Sequence, residues 1–140
     1  MTREEIIALF DRRQDALDRH DAAALTDEHA DAGVIVSPMV GTVTGRADIA
    51  KVYESLVTWF PDFTFTSEQL VIDGDRVAQL ATFAGTDTGG FMGLPPTGKP
   101  MRVPGVFLFA LKDQHIVHLR TIYDFTGMLV QIGVLKAKPA

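Results

Sequence analysis

Apolar residues near the start of the chain recur at helical spacing. Ile6, Leu9, Phe10 and Leu17 share a face with Arg13, the one charged residue that interrupts it. Thr2, with Glu5 three residues later, forms a capping box, so this helix is expected to start there and to end near His20. Asp21 is placed to cap a second, shorter helix of small residues from Ala22 to about Ala30, closed by Gly33. Val34, Ile35 and Val36 begin a short strand, which Pro38 marks as an edge or irregular one. Gly41 to Gly45 reads as turn or strand. A third helix follows from Arg46, with Ile49, Val52, Tyr53, Leu56 and Phe60 on one face and Asp48 near its N-terminal dipole. Pro61-Asp62 ends it.

From Phe63 the pattern changes to strands. One runs to Ile72, and Asp73-Gly74 signals a tight hairpin into the next, Arg76 to about Asp87. A Gly/Pro-rich loop, Gly89 to Pro100, precedes a long strand from Met101 to Leu111. Asp113-Gln114 turns into a last strand, His115 to about Asp124. A short helix, Phe125 to Ile132, ends at Gly133, and the tail from Leu135 is expected to fray. Helices first and a meander afterwards predict one α+β domain over residues 1–140. Its expected parts are three main helices, a strongly curved antiparallel sheet, a short C-terminal helix and an enclosed apolar pocket. Neither a parallel sheet nor a strand before Val34 is expected. The long strands are apolar on both faces, with Val103, Phe107 and Phe109 on one and Val106, Leu108 and Ala110 on the other. One helix layer covers only one face, so a homodimer through the other is expected.

Charge and motifs narrow the chemistry. The net charge is -5 and the 13 basic residues are scattered, which argues against nucleic acid as a partner. The absence of cysteine removes thiol nucleophiles, thiolate metal sites and disulfides, and suits the cytoplasm. MTREEII carries no leader pattern, and no apolar run approaches the roughly 20 residues of a membrane helix. GxSxG, Walker, HExxH and strand-to-helix GxGxxG motifs are missing. His20, His29, His115 and His118 have no zinc spacing. What remains is carboxylate chemistry, assisted by His or Arg, in an apolar pocket without metal or organic cofactor.

Three segments carry a resemblance: GTDTGGFMGLPPTGKP, Gly85 to Pro100; LKDQHIVHLRTIYD, Leu111 to Asp124; and FTGMLVQIG, Phe125 to Gly133. Together they resemble the SnoaL-like polyketide cyclases of the nuclear-transport-factor-like (cystatin-like) superfamily, and the likeness extends over nearly the whole chain. It implies a cone in which helices close one side of a bent sheet over an apolar ligand, and it also points to a dimer. Relatives of this kind include aldol-type cyclases, steroid isomerases, epoxide hydrolases and dehydratases. The chain departs from the pattern at Asp87, where His is usual, and at Arg120, where Trp is common. Leu108 and Ala110 stand where the cyclases proper carry polar side chains.

The resemblance makes Asp124 the general acid/base; the competing reading is a cap for the helix that follows. Regular alternation would place Ile116, His118, Arg120, Ile122 and Asp124 on one face. Arg120 would then hold a substrate oxygen or pair with Asp124, and His118 would be a second proton carrier or a surface residue. Tyr53, Trp59, Phe83, Phe91 and Phe107 are the aromatic candidates for substrate contact, with plain core as their alternative. Phe91 and Met92, flanked by Gly89, Gly90 and Gly93, are candidates for a mobile lid. His29 and Asp31 read as solvated helix-end residues near the mouth, and Asp87 as a strand-end turn residue. The expected function is proton transfer on a small apolar carbonyl compound, as in cyclisation, isomerisation or dehydration. The alternatives are an epoxide hydrolase or dehydratase of the same fold, or a non-catalytic binding or assembly module. A charged, dry pocket would favour the enzyme; a pocket filled by its own side chains would favour the module.

Overall fold

The computed structural model describes residues 1–136. The frayed tail expected from Leu135 therefore lies mostly outside the described residues. The capping box forms as read: Thr2 Oγ1 accepts from Glu5 N–H at 3.1 Å, and Glu5 Oε1 accepts from Thr2 N–H at 2.9 Å. Helix α1 (Arg3–Asp18) follows and buries Ile6, Leu9, Phe10, Leu17 and Arg13. Helix α2 (Ala22–Asp27) is capped by Asp21, whose carboxylate accepts from Ala24 N–H at 3.0 Å. It stops three residues earlier than its run of small residues suggests. The chain is drawn into strand β1 (His29–Ser37), anchored where Ile116 N–H donates to Glu28 carbonyl at 2.8 Å. Sheet pairing here overrides the helix preference of Ala30 and Ala32.

The remaining elements are β2 (Gly41–Thr44), α3 (Arg46–Trp59), β3 (Thr64–Asp73), β4 (Arg76–Thr86), β5 (Pro100–Lys112), β6 (His115–Tyr123) and α4 (Phe125–Gln131). The sheet order is β2-β1-β6-β5-β4-β3. Every neighbouring pair is antiparallel except β1 and β6, which run parallel. The all-antiparallel expectation is thus corrected. The meander is closed by short turns that dictate direction, whereas β1 meets β6 across more than eighty residues with no turn between them. Strand β1 is interior rather than an edge. Pro38 falls just after it, in the turn, and removes no ladder donor.

Extra residues bend the strands. Register shifts occur between Ser67 and Gln69 on β3, and between Ala110 and Leu111 on β5 where it meets β6. The curved inner face receives α1 against β3, α3 against β1 and α4 against β5, with α2 packed between α1 and α3. The Gly-rich loop is tied down. Buried Asp87 accepts from Phe91 N–H at 2.9 Å, Thr97 N–H at 3.1 Å and Thr97 Oγ1 at 3.0 Å. Gly89 lies so close to α3 that a Cβ there would sit 1.7 Å from the Thr58 carbonyl oxygen. Phe91 is buried against Trp59, Phe60 and Phe125. Asp87 is therefore the knot of this loop rather than a plain turn residue, while Met92 and Leu94 stay exposed.

The outer face of the sheet carries a cross-strand row of Leu80, Val106 and Ile122, with Leu108 beside it. Leu80, Leu108 and Ile122 are exposed.

Candidate functional site

The helices and the inner sheet face enclose a cavity of about 110 Å³. Its walls are apolar: Leu17 from α1, Val52, Leu56 and Val57 from α3, Phe65, Phe83, Val103 and Phe107 from the strands, and Met128 from α4. Gly105 on β5 also lines it and contributes no side-chain bulk. An engineered apolar cavity of roughly 150 Å³ admits benzene. This cavity is therefore sized for a small ring or a short acyl chain. Beyond Met39 and Val52, which line both spaces, a shallower groove of about 470 Å³ carries Thr42, Thr44, Asp48, Lys51, Ser55 and Trp59.

One end of the cavity is polar. Arg13 and Tyr53 line it, with His29 behind them, and the three are 4%, 5% and 0% exposed. Arg13 Nη1 donates to Tyr53 Oη at 2.9 Å, and His29 Nε2 lies 2.6 Å from the same oxygen. The Arg13 guanidinium sits over the rings of Tyr53 and Phe109, 5.6 Å and 5.3 Å from their centroids. Among the described residues, Arg13 Nε and His29 Nδ1 have no hydrogen-bond partner. Burial drives the His29 pKa down to about 3, with the nearby positive charges of Arg13 and Arg46 adding to the shift, so the ring is neutral near pH 7. Arg46 also holds the backbone here, donating from Nε to the His29 carbonyl at 2.8 Å. A second polar strip lies along β6. Thr121 Oγ1 is buried without a partner. Tyr123 is pushed up to about 12 by burial, against the opposing effect of hydrogen bonds to Ser37 and the Met39 backbone.

This cavity sits inside a chain whose residues 8–132 match the family described as SnoaL-like polyketide cyclase. The chain belongs to the SnoaL-like polyketide cyclase family. No curated protein matches its sequence. Among solved structures, AclR from Streptomyces galilaeus, a candidate hydroxylase, is similar at 27% identity and a TM-score of 0.83, covering 99% of this chain and 91% of that one. IdmH from Streptomyces antibioticus, a candidate polyketide cyclase, is 29% identical with a TM-score of 0.75, covering 91% of this chain and 97% of that one. A SnoaL-like protein from Jannaschia sp. CCS1 shares the fold at 22% identity and a TM-score of 0.80, over 97% of this chain and 94% of that one. Among the described residues no helix is long and apolar enough to cross a membrane.

The candidate site residues divide sharply. Tyr53, Phe83 and Phe107 line the cavity. Trp59 lines the outer groove instead, and Phe91 lies behind Phe60 in the core, outside the cavity lining. His118 and Arg120 are exposed on the outer sheet face, paired across β5 with Ala110 and Leu108. The cause is an extra residue on β6. Leu111 pairs with Ile116 but Ala110 pairs with His118, which leaves Val117 unmatched. The inward positions beyond the bulge are Leu119, Thr121 and Tyr123.

Asp124 does not project into the pocket. It is exposed and caps α4, its Oδ1 accepting from Gly127 N–H at 2.8 Å. Neither Arg120 nor any other cation is paired with it among the described residues. Asp124→Ala is expected to lower stability by about 1 kcal/mol in thermal or urea unfolding through loss of the cap. Asp124→Asn keeps a capping side chain and is expected to leave both stability and turnover near wild type. His29 is a buried core residue rather than a solvated helix end. Arg13 was visible in the sequence as the single break in the α1 apolar face, and that break was the available signal for this site.

Proposed function

We propose that this SnoaL-like chain catalyses proton transfer on a small carbonyl compound, a cyclase- or isomerase-type step, with Tyr53 as its acid/base. One observation carries the reading: in an otherwise apolar cavity, the Tyr53 oxygen is held by Arg13 at 2.9 Å and His29 at 2.6 Å. The Arg13 N–H must donate. Assigning the His29 proton to Nε2 places a second donor on the Tyr53 oxygen and frees the phenol hydrogen to face the cavity. Tyr53 can then pass that hydrogen to a substrate carbonyl oxygen, while Arg13 and His29 hold the charge left on its own oxygen. The same oxygen takes a proton from the carbon next to the carbonyl, which restores Tyr53 and leaves an enol. The net change is keto to enol, with no atom left over. An acidic side chain has no part in it, because among the described residues no Asp or Glu lines the cavity.

The buried charge in a space not filled by side chains also favours an enzyme over an assembly module. Exchange of carbon-bound hydrogen for deuterium tests the proposal without knowledge of the natural substrate. The protein in D₂O is expected to accelerate exchange beside the carbonyl of cyclohexanone or 2-tetralone, read by proton NMR. Exchange at the buffer rate with both probes counts against it.

The outer-face apolar row of Leu80, Val106 and Ile122, in which Leu80 and Ile122 are exposed, supports pairing of two copies through this face. Light scattering at micromolar concentration is expected to give twice the chain mass, and Ile122→Arg to give the single-chain mass.

A further inference from the structure

Arg13 is a buried cation that no anion among the described residues answers. The ion pairs of the described residues all lie elsewhere: Arg12 with Glu28, Arg19 with Asp15 and Asp21, Arg46 with Asp31, Lys51 with Asp48, and the N-terminus with Asp75. Guanidinium groups stay protonated in proteins, so Arg13 cannot relieve its burial by losing the charge. Its surroundings compensate only in part. The Tyr53 hydroxyl takes one of its donors, and the Tyr53 and Phe109 rings present their electron-rich faces. Its Nε has no partner. A buried charge left unpaired is costly, and such groups persist where something else supplies the counter-charge. Arg13 faces the cavity, and among the described residues no carboxylate lines that cavity.

We infer that the cavity is an anion receptor: its ligand brings a carboxylate, or an ionised enol or phenol oxygen, to Arg13 and carries a body no larger than a small ring inside the apolar walls. This rests on the cavity used in the proposed function, yet it concerns binding and not proton transfer. The Tyr53 hydroxyl, next to Arg13, would touch the same anionic group. The rest of a larger ligand would pass Met39 and Val52 into the polar groove outside.

The test compares acids with their neutral amides of the same shape on the full wild-type chain. Benzoate against benzamide and the smaller crotonate against crotonamide are titrated at pH 7, with the backbone amides of Gly105, Leu119 and Thr121 followed by NMR. At least one acid is expected to bind about tenfold or more tighter than its amide, the size of a charge-assisted hydrogen bond in a dry site. Arg13→Gln is expected to erase that preference, so that acid and amide bind with equal affinity. Should Arg13→Gln fail to fold, the wild-type comparison decides alone. Equal affinities within both pairs, no binding of either acid, or shifts confined to surface residues would overturn the inference. Its failure is separable from that of the proposed chemistry. Acids and amides binding alike, with deuterium exchange still dependent on Tyr53, would remove the anion receptor alone. An acid preference with exchange independent of Tyr53 would remove the chemistry alone.

Discussion

Tyr53→Phe is expected to reduce deuterium exchange on cyclohexanone by about 10²–10³-fold, the usual effect of removing a donor aimed at a developing oxyanion. The substitution deletes one oxygen and keeps the ring that packs in α3 and lines the cavity. It also leaves Arg13 Nη1 and the His29 ring without their shared partner. A stability loss on the order of 2 kcal/mol therefore accompanies it, and rates should be compared well below the melting temperature. The loss should fall on kcat more than on KM, because the oxygen acts on charge that appears during the reaction. Exchange at the wild-type rate in a folded Tyr53→Phe protein would show that Tyr53 is not the acid/base.

Stability is expected to fall by about 3 kcal/mol between pH 6.5 and pH 4 because of His29 alone, at up to about 1.4 kcal/mol per pH unit. The unfolded chain protonates this ring near pH 6.5. The folded chain resists until about pH 3, because the ring is buried and faces the positive charges of Arg13 and Arg46. Between those values the unfolded state binds more protons, so acid favours unfolding. The contribution is complete above pH 6.5 and is lost as the pH falls toward 3. Urea unfolding at a series of pH values measures it. His29→Gln keeps an N–H for Tyr53 and removes the titration, so its curve should be flatter by that amount, while carboxylate titrations affect both proteins alike. Parallel curves for the two proteins would refute the assignment.

Both tests concern residues whose setting the chain reveals unevenly. Tyr53 could be assigned to the inner face of α3 because Ile49, Val52, Leu56 and Phe60 repeat around it at helical spacing. Arg13 was equally visible as a charge on an apolar stripe, but its meaning was not. A stripe shows that a side chain is turned inward and says nothing of what it meets there. Its partners come from α3 and β1, Tyr53 being forty residues away. His29 was hidden more deeply. Its neighbours Ala30 and Ala32 suit a helix end, and only the pairing of β1 with β6 draws it inside.

Local signals determined much of this protein. The Thr2–Glu5 box, the Asp21 cap, the start of α3 and the turn at Asp113-Gln114 depend on residues within a few positions of one another, and each formed where it was read; the hairpin read at Asp73-Gly74 formed one residue later, with Asp73 paired to Arg76 and Gly74-Asp75 as its turn. The tertiary structure decided the rest. One unmatched residue, Val117, reverses which side chains of β6 face inward, sending His118 and Arg120 outside and Thr121 and Tyr123 toward the cavity. Strand alternation has a period of two, so a single inserted residue inverts every later position, and its placement depends on how β6 packs between β5 and β1. Asp124 follows the same logic. Its helix-cap geometry is local and was available from the start, whereas a role in the cavity required a direction that only the packed sheet could supply, and the sheet turned it to solvent.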